Sequence, residues 1–130
     1  MNLESPKVTT DKSQQEMFEF LTNVENYEQL MPESKEKFKV LDQETFLFAL
    51  KGMPEIKLRI TETEEPKLVV LGSTSDKLNF SLNIHIDKLN ENQSETQLFF
   101  HGKFNAMMSM MVKSPLQKFI NSLAENIEKL

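Results

Sequence analysis

The sequence predicts an α+β fold: an antiparallel sheet with one apolar face, covered by a long C-terminal helix. Three observations carry that expectation. From Lys35 to Asn105 apolar and polar residues alternate at period two, in a succession of short runs. The separators between these runs are short and turn-like, which fits hairpins, since parallel neighbours need a crossover of a dozen or more residues. After Asn105 the apolar spacing becomes helical, with Leu116, Phe119, Ile120, Leu123, Ile127 and Leu130 on one face.

In chain order, Leu3 to Thr9 is an extended segment. Its Pro6 cannot donate to a ladder, so it reads as an edge or terminal strand. Ser13-Gln14-Gln15-Glu16 has the spacing of a capping box. Met17, Phe18, Phe20, Leu21 and Val24 follow as one helical face, weakened from Asn23 to Asn26. Tyr27, Leu30 and Met31 then suggest a second short helix, stopped by Pro32. The strands come next, carried by Phe38 and Val40; Phe46, Phe48 and Leu50; Ile56, Leu58 and Ile60; Leu68 and Val70; Phe80, Leu82, Ile84 and Ile86; and Leu98, Phe100 and Phe104. Turns are expected at Asp42-Gln43, Gly52-Met53-Pro54, Glu64-Glu65-Pro66, Ser73 to Lys77 and Asn90 to Gln93. Ala106 to Lys129 is expected as one long helix bent at Pro115. Its rival is a short helix, a break, and a second helix beginning at Pro115.

Pairing Ile86 with Leu98, Leu50 with Ile56 and Ile60 with Leu68 brings each hairpin's apolar rows to one side together. A one-residue slip would turn a whole row over. On this register His85 faces Phe99 and Asn83 faces His101, so both histidines lie on the polar, convex side.

Composition bounds the chemistry. The chain has 130 residues, with no Cys or Trp, three Gly, eight Met and ten Phe, and suits a single domain spanning 1–130. Without Cys there is no disulfide, thiolate metal site or cysteine nucleophile. Gly52, Gly72 and Gly102 are too scattered for a phosphate-cradling loop. The net charge of −5, with Arg59 the only Arg, gives no electrostatic case for nucleic acid. No run approaches a membrane span of about 18 apolar residues. Met1 to Lys12 has no apolar signal core. A cytoplasmic protein without a cofactor is expected.

The element order resembles the START-like, or helix-grip, superfamily (SRPBCC). It includes the Bet v 1-type allergens, polyketide cyclases and aromatases, lipid-transfer START domains, coenzyme-Q-binding proteins and a group of proteins similar to a small component of carbon monoxide dehydrogenase. Three passages carry the resemblance: FEFLTNVENYEQLMP at Phe18–Pro32, QLFFHGKFN at Gln97–Asn105, and KSPLQKFIN at Lys113–Asn121. The last is similar to a turn of the small bacterial members. The resemblance implies a seven-stranded curved sheet gripping the C-terminal helix. Two short helices after the first strand would close one end of it. It also implies a cavity between helix and sheet for an apolar or amphipathic molecule such as a lipid, polyketide or quinone.

The apolar rows explain themselves as core, since burying one Leu, Ile or Phe is worth roughly 1.5–3 kcal/mol. Phe48, Leu58, Val70, Leu82, Phe100, Met108 and Leu116, near the middle of sheet and helix, are the candidates to line a cavity as well. Met107, Met108, Met110 and Met111 span most of a helix circumference, so some must face away from the sheet. Burial by neighbouring helices or a partner subunit is the plain explanation. An adaptable rim at a cavity mouth, with Met107, Met108 and Met111 touching a ligand, is the functional one. Tyr27 and Asn105 are the polar candidates for orienting a ligand. Three functions are compatible: a binding module, a cyclase- or dehydrase-like enzyme, and an interaction protein or homodimer using the Met-rich helix start. The enzyme would need an acid, a base or an oxyanion donor inside the cavity. No such inward group is identified, and no metal ligand set either.

Overall fold

The computed structural model describes residues 1–74 and 78–130. Strands β1 (Asn2–Glu4) and β2 (Val8–Thr10) lead into helix α1 (Gln14–Thr22) and a 3-10 helix, Val24–Leu30. Six longer strands follow: β3 (Lys35–Val40), β4 (Thr45–Leu50), β5 (Ile56–Glu64), β6 (Leu68–Ser73), β7 (Phe80–Asn90) and β8 (Gln93–Gly102). Helix α2 (Ala106–Glu128) ends the fold, and Pro115 lies inside it without ending it. The sheet is antiparallel, in the order β1-β8-β7-β6-β5-β4-β3, with β2 also on β8. The expected first strand is therefore two short ones. Ser5 interrupts them, its backbone N–H donating to Leu98 O and its hydroxyl accepting from Leu98 N.

Local chemistry accounts for the helical elements. Ser13 and Glu16 form the expected capping box on α1. Asn23 caps the 3-10 helix by accepting from Glu25 N, which is why the helical stretch breaks there. The expected turn from Ser73 to Lys77 lies partly outside the described residues.

The registers differ from the expected ones by small, regular steps. In β7–β8, Ile84 pairs with Leu98 and Leu82 with Phe100, two residues from expectation. In β4–β5, Phe48 pairs with Ile56 and Phe46 with Leu58, again shifted by two. An even shift keeps every side chain on its face. In β5–β6 the shift is odd: Ile60 pairs with Leu71, and a bulge between Ile60 and Glu62 resets the ladder. Val69 and Leu71 are consequently the core residues of β6, while Leu68 and Val70 are half-buried on the convex side. The histidines shift with β8, so that His85 pairs with Gln97 and Ser81 with His101; both remain exposed on the convex face.

The concave face packs against α1, the 3-10 helix and α2 as one apolar core. A ladder of rings runs through it. Tyr27 stacks on Phe46 at 4.9 Å, Phe46 lies 6.0 Å from Phe48, and Phe48 stacks on Phe119 of α2 at 5.0 Å. Each such pair contributes about 0.5–1.5 kcal/mol beyond its area.

Candidate functional site

The opening between α2 and the sheet lies at the rim of their interface, not at its centre. It is a half-open cleft of about 400 Å³. One wall is the middle of α2, with Ser114, Pro115, Lys118, Phe119 and Ser122; the other holds Pro32, Ser34, Leu50, Lys51 and Met53. The second wall is built by a tight turn. Met53 N donates to Leu50 O at 3.0 Å, and Gly52 between them has φ +82°, a conformation that glycine adopts without cost. Lys51 N donates to Ser34 O at 2.9 Å, which ties the turn to the approach of β3.

Helical spacing divides the α2 wall into two stripes. Pro115 and Phe119, four apart, form an apolar stripe, and Phe119 is anchored on Phe48. Ser114, Lys118 and Ser122, also four apart, form a polar stripe beside it. Across the gap Leu50 is buried and Lys51 exposed. Neither the Lys51 nor the Lys118 ammonium group has an ion-pair partner among the described residues. No carboxylate or imidazole lines this cleft among the described residues.

The residues singled out from the sequence fall into three groups. Phe48, Leu58, Leu82, Phe100 and Leu116 are brought together, but as fully buried members of the packed core. Val70 is not with them, because the β6 register turns it to the convex side. Tyr27 is buried, and its hydroxyl donates to Leu21 O at 2.7 Å; burial pushes its pKa well above the ordinary phenol value. Asn105 caps α2, its Oδ1 accepting from Met108 N at 2.8 Å. The methionines form the third group. Met108 packs partly on the core, whereas Met107, Met110 and Met111 are 75%, 85% and 66% exposed. The chain by itself therefore leaves three of the four uncovered, so its own helices do not supply the burial that the plain expectation assigned to helices or a partner subunit. Met111 and Met108 lie four and seven residues before Pro115 and continue its face toward the helix start.

Sequence reasoning missed the cleft residues themselves. The Gly52-Met53-Pro54 turn and Pro115 were legible separately; that they face each other was not. It also missed Thr10, Ser94 and Thr96, buried hydroxyls on the inner face. Thr10 Oγ1 donates to Ile127 O at 3.1 Å, so that residue serves the far end of α2 rather than the cleft. No group of three or more His, Asp or Glu suited to a metal ion occurs among the described residues. None of the described helices is long and apolar enough to cross a membrane.

No family model and no curated protein matches the sequence. The fold does match solved structures. A conserved protein of Geobacillus kaustophilus superimposes with a TM-score of 0.73 at 10% identity, over 99% of this chain and 93% of the other. A START superfamily protein of Mycobacterium smegmatis gives 0.70 at 13%, over 98% and 94%. Norcoclaurine synthase of Thalictrum flavum, in complex with a transition-state analogue, gives 0.69 at 12%, over 99% and 92%. The chain has the START-like helix-grip fold: a curved antiparallel sheet closed on a long C-terminal helix.

Proposed function

We propose that the protein is a non-enzymatic binding module for a small apolar or amphipathic molecule of the lipid, polyketide or quinone kind. Its site is the cleft between α2 and the Lys51 turn. One observation carries this reading: a half-open cleft of about 400 Å³ whose inner surface is Leu50, Met53, Pro115 and Phe119. Ligand sites typically enclose about 300–1,000 Å³ with mostly apolar walls and a few placed polar groups. The cyclase-like alternative lacks support from the lining, which holds no carboxylate or imidazole among the described residues. Native mass spectrometry of protein purified from its own source tests the proposal. A retained small molecule, lost when Ser114→Trp fills the cleft from its exposed rim, is expected; a bare polypeptide mass under gentle ionisation would count against it.

The exposed face of Met107, Met110 and Met111 favours a second reading, self-association through the start of α2. Sedimentation of M107K/M110K beside the parent separates the two. A lower mass for the variant supports an apolar contact between copies, and an unchanged mass removes it.

A further inference from the structure

Resting on the cleft as the binding site, we infer that its occupant is an amphiphile with an anionic head, such as a carboxylate-bearing chain. The cleft is graded from inside to outside. Leu50, buried, and Phe119, stacked on Phe48, form an apolar floor. Lys51 stands beside Leu50 on one wall, and Lys118 beside Phe119 on the other, both exposed at the rim. Both positive charges are unpaired among the described residues. The hydroxyls of Ser34, Ser114 and Ser122 supply neutral donors to the same rim.

The charge at the rim opposes that of the molecule. A chain of net charge −5 lines this opening with two cations and, among the described residues, no carboxylate. Two carboxylates are near it in sequence without lining it: Glu33, between Pro32 and Ser34, is exposed, and Glu55 is paired with Lys37 at 3.0 Å. A tail between Leu50 and Phe119 would bring its head between the two ammonium groups. An anionic head gains there, a neutral one is indifferent, and a cationic one is repelled. Charge-assisted hydrogen bonds from lysine and serine suit a carboxylate, sulfate or phosphate oxygen.

The test holds the tail constant and varies the head. Decanoate, decanol and decyltrimethylammonium, each kept below its micelle concentration, are titrated calorimetrically into the full chain. Decanoate is expected to bind about ten-fold more tightly than decanol, the combined effect of two exposed charge pairs. The cation is expected to bind more weakly than either. The preference should shrink as salt rises. It should vanish in K51Q/K118Q, where decanoate is expected to bind no more tightly than decanol, and persist in K57Q/K88Q, which removes two lysines outside the cleft. Equal binding of decanoate and decanol, or an anion preference that survives K51Q/K118Q, would overturn the head-group inference and leave the cleft standing. Failure of all three probes to bind would overturn the cleft reading and this inference with it.

Discussion

Tyr27, the chain's one tyrosine, has its ring stacked on Phe46 and its hydroxyl committed to the Leu21 carbonyl, so it holds the 3-10 helix to α1. Y27F is expected to cost about 1–2 kcal/mol, because a buried carbonyl loses its partner; urea unfolding measures it. The same burial makes a pH prediction. The folded pKa lies above the ordinary phenol value of 10.0, so the folded state keeps a proton that the unfolded chain gives up. This contribution is fully present below the unfolded pKa of about 10 and is lost as pH rises beyond it. Y27F should lack that part of the alkaline decline. The sequence marked Tyr27 as a polar group near the short helices. Its partner, six residues upstream, depends on how two helices meet, which no local pattern specifies.

Among the elements, the passage from β8 into α2 depends on small groups. A Cβ on Gly102 would stand 2.8 Å from Phe104 Cε2 and 3.0 Å from Phe100 Cε1, so two rings would have to move. G102A is expected to destabilise by about 1–3 kcal/mol, the range of overpacked cores, read from the midpoint of denaturant unfolding. Helix α2 then runs through Pro115 unbroken, with one fewer backbone donor to bond the carbonyl four residues back. P115A is therefore expected to raise the unfolding temperature, with a gain of roughly 1–3 kcal/mol. A fall would show that Pro115 supports the cleft wall more than it strains the helix. The continuity of α2 was readable from the absence of any other breaker between Ala106 and Lys129. The β6 face was not readable, because Leu68-Val69-Val70-Leu71 is apolar at every position and the bulge beyond Ile60 decides which pair turns inward.

Across the molecule, the main division is between a filled centre and an open rim. The ring ladder from Tyr27 to Phe119 occupies the space where a central cavity was expected, and the opening is displaced to the Lys51 turn. The methionine face beside it contributes little to the fold of the single chain. M107K/M110K should therefore unfold within about 0.5 kcal/mol of the parent, as measured in denaturant. A larger loss would mean that these side chains are buried in solution, against a second copy.

Local pattern was enough to give the order of elements apart from the split first strand, the one-sided character of most strands and the capping of α1, and it favoured the single long helix over a break at Pro115. These rest on periodicity and short-range hydrogen bonding, which each segment carries within itself. Three things waited on the folded chain: the strand registers, the packed state of the central residues and the place of the cleft. A period-two pattern is unchanged by a two-residue shift, so it cannot tell Ile84 opposite Phe100 from Ile84 opposite Leu98. Whether apolar side chains enclose space or fill it depends on their summed volumes across elements distant in sequence. The cleft exists because Leu50 and Phe119, 69 positions apart, meet at the edge of that packing.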